Sequence, residues 1–238
     1  MALPKLKSPT FTFTVPSTKQ EIVYRPFTVQ EEKVLLIAQE SKDQKAIIRA
    51  VQQIINNCIV KGEIDVDALA PFDIEFFFLQ LRARSVNNVL RLKLNDPDNE
   101  QTTYDYEVDL DDIHLTFADD HERRIQLDNE IGVVMRYPTL TAVSKFEFKE
   151  SNMTEDLFGI IKETIDSVYD AENVYPFQDE TPAEQDAFLE SLSSEAFTKL
   201  RKFYDTMPKL EHDITILRPD GTSFTIKLQG LSDFFSYA

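Results

Sequence analysis

Three histidines, one cysteine and two runs of carboxylates are the residues of this 238-residue chain whose types could carry chemistry. His114, His121 and His212 suggest metal binding or proton transfer. None stands at a His-x-x-x-His spacing or with a carboxylate placed to complete a metal set, so structural or surface histidines are the better reading. The acids of "DLDDI" (109–113) and "ADDH" (118–121) provide the oxygens a hard cation needs. The loop glycine and ligand spacing of a calcium hand are missing, and solvated turns account for these acids better. Cys58 continues the apolar stripe Ile47, Ala50, Val51, Ile54 and Ile55 of a helix expected over about 43–59. Apolar surroundings raise a thiol pKa, so this is a core thiol rather than a nucleophile. No serine sits in Gly-x-Ser-x-Gly, and the five glycines form neither Gly-x-Gly-x-x-Gly nor a Walker-type loop. The 42 acids permit many pairs, but no spacing singles one out. Catalytic, metal and cofactor residues are therefore expected to be none, and the chain does not read as an enzyme.

The totals bound the rest. Apolar residues make up 42% of the chain, with 18 Phe and 8 Tyr, enough for one large core or two smaller ones. The 42 acids against 25 bases leave a net charge of −17, a surface that repels phosphate. The densest basic runs, "RLK" (91–93) and "ERR" (122–124), are bordered by acids, so nucleic acid is not an expected partner. A single cysteine excludes an intramolecular disulfide. The start "MALPKLKSPT" lacks the apolar core of a signal peptide, and no window approaches the roughly 18 apolar residues of a membrane span. The expectation is a soluble, cytosolic protein.

These residues must be positioned by an α+β fold, antiparallel β-hairpins packed with several α-helices. In "TFTFTV" (10–15), Phe11, Phe13 and Val15 alternate with Thr, and "EIVYRPF" returns after "PSTKQ", a hairpin over 10–25. Pro26 ends the strand, and Thr28 with Glu31 fits a capping box for the next helix. Val34 to Ala38 is apolar on every side, which implies a buried helix. "APFDIEFFFLQLRARS" starts a helix near Pro71 whose Phe72, Phe76, Phe77 and Phe78 read as core. From Val89 the period is two. "LRLKL" and "YDYEVDL" form a hairpin around "NDPDNEQTT", a second is expected between Ile113–Phe117 and Ile125–Leu127, and "IGVVMRY" is a further strand. Helices are expected over roughly 139–149, 153–168, 181–193 and 194–206, followed by a hairpin "DITILR–PDG–TSFTIKL". The organisation is one unit over 1–238, with sub-regions 1–88, 89–137, 138–208 and 209–238.

The end of the chain, "LQGLSDFFSYA", carries Leu228, Leu231, Phe234 and Phe235. They either pack back on the core or dock a partner as an aromatic surface. The hairpins "LRLKL…YEVDLDDI" and "ITILR…FTIKLQGLSDFF" also resemble each other, weakly, as two elements that could lie side by side.

Taken in order, "LPKLKSPTFTFTVPSTKQEIVYRPFTVQEEKVLLIA", "FDIEFFFLQLRARSV", "IGVVMRYP", "FYDTMPKL" and "LQGLSDFF" resemble the baseplate hub assembly protein family of T-even-type, contractile-tailed phages. The likeness runs from about residue 3 to 235. It implies a tail morphogenesis factor in the host cytoplasm, binding hub or tape-measure protein, with presence in the virion left open. A permanent hub subunit is the alternative, and an acid-dependent tail hydrolase a remote one. The resemblance also implies that relatives carry Cys-x-x-Cys in the two hairpins, one pair from each closing a zinc site. The matching positions here are Leu94, Pro97, Leu217 and Asp220, none a thiol, so zinc is not expected and apolar contacts are expected to join the hairpins instead.

Overall fold

The alternating "FTFT" becomes strand β1 (Phe11–Thr14), paired antiparallel with β2 (Glu21–Tyr24) in the register Phe11↔Tyr24 to Thr14↔Glu21. Phe13 and Tyr24 turn inward and meet Phe77, at ring centroid separations of 4.4 and 5.2 Å. The computed structural model describes residues 7–41, 43–146 and 152–230. Helices α1 (Val29–Glu40) and α2 (Gln44–Cys58) follow, and β3 (Ile59–Lys61) returns to the free edge of β2. Next come α3 (Pro71–Ser85), the long hairpin β4 (Val89–Asp96) and β5 (Asn99–Asp109), and the short β6 (Leu115–Thr116). The chain then forms β7 (Arg124–Gln126), β8 (Gly132–Met135), α4 (Leu140–Val143), α5 (Met153–Thr164), β9 (Ile165–Tyr169), β10 (Val174–Pro176), α6 (Pro182–Glu190) and α7 (Ser194–Thr206). It closes with the hairpin β11 (Lys209–Leu217) and β12 (Ser223–Gln229). Helices and antiparallel sheets are both present, an α+β fold.

The fold divides into two compact units. Unit 1 comprises Met1–Val66, Phe72–Thr116 and Lys209–Ala238, and unit 2 comprises Asp67–Pro71 and Phe117–Pro208. The second unit is therefore largely an insertion, and the four consecutive sub-regions of the sequence reading do not coincide with either unit. Its entry and exit are paired in unit 1, where Thr116 of β6 faces Lys209 of β11 and Leu115 faces Leu210. This replaces the hairpin expected between Ile113–Phe117 and Ile125–Leu127. Strand β6 adds to β11, and β7 pairs with β8 instead.

In unit 1 the inward residues of both long hairpins share one core. Leu90, Leu92, Leu94 and Val108 meet Leu210, Ile214, Ile216 and Leu228, with Leu79 and Ala83 of α3 beside them. The hairpins belong to separate sheets, so they pack through side chains and not through a common ladder. The phenylalanines of α3 are core residues, Phe72, Phe77 and Phe78 being buried. In unit 2 a sheet ordered β10-β9-β8-β7 packs on α5, α6 and α7 through Leu127, Val133, Met135, Ile161, Ile165, Phe177, Leu189, Leu200 and Phe203. Gly132 has no substitute there, because a Cβ would lie 2.2 Å from the Tyr169 ring opposite it.

The expected helix over 153–168 ends at Thr164, and Ile165–Tyr169 is a strand with alternating burial. The expected helix over 139–149 is described only as the short α4, residues 147–151 lying outside the described set. Helix α1 departs from expectation in another way. Its inner side buries Glu31, Leu35 and Ala38, while Leu36 and Ile37 remain exposed.

Glu31 is buried because it has partners. Its Oε2 accepts from the Thr28 N–H at 2.6 Å and from the Thr28 hydroxyl at 2.8 Å, holding the first turn of α1. Arg25 at the end of β2 donates to both carboxylate oxygens, at 3.0 and 2.7 Å, and its Nη2 also reaches the Asn57 carbonyl at 3.0 Å. One ion pair thus ties β2, the start of α1 and the end of α2, where the last carbonyls lack helical donors. The Arg25 guanidinium holds the Glu31 carboxyl at about 2, against an ordinary 4.5. A depressed carboxylate contributes stability that is complete above its unfolded pKa and lost as pH falls to its folded one. Glu31→Gln is expected to cost about 2 kcal/mol at neutral pH, less than in a fully enclosed pair because the Arg25 side chain keeps 26% exposure. Denaturant titrations from pH 7 to pH 2 should show this deficit shrinking between about pH 4.5 and about pH 2.

Candidate functional site

The tips of the two long hairpins of unit 1 are joined by an ionic clamp. The turn "NDPDNE" holds Asp96 and Asp98, and Arg218 follows β11 at the start of "RPDG". Arg218 donates through Nε to Asp96 Oδ2 at 2.7 Å and through Nη2 to Asp96 Oδ1 at 2.8 Å, a two-pronged pair. Nη2 also reaches Asp98 Oδ2 at 2.5 Å. The guanidinium lies 4.7 Å from the Phe224 ring centre, and Phe224 packs on Tyr104, whose hydroxyl donates to Asp96 Oδ2 at 3.4 Å. The side chains of Arg218 and Asp96 are only 17% and 5% exposed. Pairing with Arg218 holds the Asp96 carboxyl at about 2, and the two aspartates raise the Arg218 pKa in turn.

The expected apolar contacts do join the hairpins through their shared core, Leu94 among them, but at the tips the crosslink is ionic. Leu94 is buried, but Pro97, Leu217 and Asp220 are exposed. The physical reason is position. The turns lie where the apolar core gives out, and a charged fork can bridge them while Asp98 remains in contact with water. The sequence did hold a signal, since each hairpin turns on Pro-Asp and the two turns carry opposite charges beside it, Asp96 in one and Arg218 in the other.

Unit 2 holds a further cluster of titratable side chains. His121 stacks on Tyr137 and packs at a tilt against Phe203, with both ring nitrogens engaged: Nδ1 lies 2.9 Å from the Thr206 hydroxyl and Nε2 3.0 Å from the Tyr137 hydroxyl. Burial, with Arg123 nearby, pushes the imidazole below its ordinary pKa. A shallow opening of about 210 Å³ lies alongside, lined by Asp120, Glu122, Ile125, Gln126, Lys199, Lys202, Phe203 and Thr206. Its lysines are committed, Lys202 to Asp120 at 2.6 Å and Lys199 to the Leu127 carbonyl at 3.0 Å. Cys58 in unit 1 is fully buried, and burial followed by the charge of Glu31 pushes its thiol up to about 12. Among the described residues no group of three His, Cys, Asp or Glu is placed to hold a metal ion, and no helix is long and apolar enough to cross a membrane.

Of the residues named from sequence for partner binding, Leu228 is enclosed in the unit 1 core at 0% exposure. It supports β12 and offers no surface. Leu231, Phe234 and Phe235 lie outside the described residues. Exposed apolar side chains are found elsewhere, at Val29, Leu36 and Ile37 of α1 and at Val174 and Tyr175 of the edge strand β10. The acid surplus is uneven as well. Residues 117–208 hold 20 acids and nine bases, whereas residues 1–66 hold seven acids and nine bases.

In comparison with known families, the family described as T4 bacteriophage base plate protein matches residues 8–236. No curated protein matches the chain. No solved structure matches it either.

Three outcomes test this geometry. Arg218→Ala should lower Tm by about 4 °C, and Arg218→Lys should recover only part of the loss because an ammonium lacks the fork. A chelator should leave the wild-type Tm unchanged, and a drop on chelation would contradict an ionic crosslink. Cys58 should fail to react with Ellman's reagent until denaturant is added, since a buried neutral thiol is a poor nucleophile.

Proposed function

Because the chain belongs to the T4 bacteriophage base plate protein family, we propose that it is a non-enzymatic morphogenesis factor for the central hub of the baseplate, working in the host cytoplasm on hub or tape-measure protein. The family match over residues 8–236 carries this reading and makes other baseplate proteins its partners. The non-enzymatic part is supported by the engaged ring nitrogens of His121 and the buried thiol of Cys58. Neither is free to act as a base or nucleophile.

The acidic insertion of unit 2 is one contact surface for the client, and Leu231, Phe234 and Phe235 of the C-terminal segment are proposed to contact it separately. On β10, Val174 and Tyr175 are exposed on an edge strand, with Glu172 before them and Asp179 after. Apolar side chains set among like charges can cover apolar segments of a client and still stay soluble. A client so covered is one whose segments would otherwise associate before the hub closes, and the acids favour clients with lysine or arginine beside those segments.

Phe234→Ser combined with Phe235→Ser should abolish co-purification with hub and tape-measure proteins from infected cells, while circular dichroism and Tm stay at wild-type values. Unchanged co-purification would remove the tail from the contact surface. A cell-wall clearing assay with the purified protein should show no lysis, and clearing would overturn the non-enzymatic reading.

A further inference from the structure

Helix α1 presents more apolar surface than its own unit covers. At 100° per residue, Val29, Lys33, Leu36, Ile37 and Glu40 fall within about 100° of arc, opposite the buried Glu31, Leu35 and Ala38. Val29 is 80% exposed, Leu36 52% and Ile37 57%. A helix with apolar residues on both sides ordinarily has a neighbour on both sides. The stripe also lies in the least acidic stretch of the chain, the seven acids and nine bases of residues 1–66, so the repulsion expected of a −17 protein is weakest there.

The charges on the stripe identify its neighbour. Lys33 and Glu40 stand seven residues apart with Leu36 and Ile37 centred between them. Neither has an ion-pair partner among the described residues. If two such helices run antiparallel about a two-fold axis passing between Leu36 and Ile37, Lys33 of each lies opposite Glu40 of the other. Leu36 of each then meets Ile37 of the other. The pattern is complementary to itself, as a two-fold contact requires.

We propose that the exposed face of α1 is the contact surface for a second copy of this chain, joined as an antiparallel helix pair. A 12-residue helix is about 18 Å long and covers less than the roughly 800 Å² per partner of a stable interface. The dimer is therefore weak, with a Kd in the range of about 10 to 100 μM. It becomes substantial where several copies are brought together on one assembling particle.

Sedimentation equilibrium of the full chain, from micromolar to sub-millimolar concentration, tests this. The average mass should climb from monomer toward dimer. Leu36→Ser with Ile37→Ser, both exposed changes that leave the fold intact by circular dichroism, should hold the protein at the monomer mass. Lys33→Glu alone and Glu40→Lys alone should each weaken association about fivefold or more, because each breaks both symmetry-related pairs. The combined Lys33→Glu and Glu40→Lys variant should restore it to near the wild-type value. A wild-type protein that stays monomeric throughout overturns the proposal and leaves this face to another baseplate protein. A dimer that survives the Leu36 and Ile37 substitutions overturns it too, as does a charge swap that fails to rescue.

Discussion

Unit 1 depends on the closure of a chain that leaves it at Thr116 and returns at Lys209. Bringing such distant ends together costs entropy that grows slowly with loop length, so the ends need strong local reasons to meet. Two are present. The β6 and β11 strands pair at the point of departure and return, and Arg218 of the last hairpin grips Asp96 and Asp98 of the earlier one. Between these points the inward residues of both hairpins form one apolar core. The ion pair adds direction to that core: a planar fork accepts one arrangement of the two turns, whereas leucine contacts alone would tolerate a shift between them.

A similar economy appears at the other end of unit 1, where Arg25 and Glu31 join a strand end and two helix ends. No buried side-chain nitrogen or oxygen among the described residues lacks a hydrogen-bond partner. The interior polar groups are thus committed to holding the fold. The surfaces differ between regions. Residues 117–208 are strongly acidic and residues 1–66 nearly neutral, so the two proposed contacts, with a basic client and with a second copy, would draw on different surfaces.

Local signals in the sequence located most elements. The Thr28 and Glu31 pair, Pro71, the helix expected from 181, and the alternation of "FTFT" and "LRLKL" each name a start or a period, and each forms. What the sequence hid was partnership. Leu115 and Thr116 read as half of a nearby hairpin because period two says nothing of which strand is the neighbour, and the true one lies beyond the insertion. Ile165–Tyr169 was masked by the helical pattern running into it from α5. Apolar α1 reads as buried, but an apolar residue is not thereby inside, and Leu36 and Ile37 remain exposed. At the clamp, attention to Leu94 and Leu217 passed over the charges beside them. Of the four residues proposed for partner binding, Leu228 shows how an apolar residue near a terminus can still belong to the core.

If the protein is a morphogenesis factor as proposed, it serves assembly and leaves before the particle is finished, whereas a permanent hub subunit stays. Quantitative mass spectrometry of purified mature particles, beside tail intermediates arrested before completion, tests it most directly. A departing assembly factor is found in the intermediates and absent from finished particles. A fixed copy number in mature particles would contradict it and make the protein a permanent part of the baseplate.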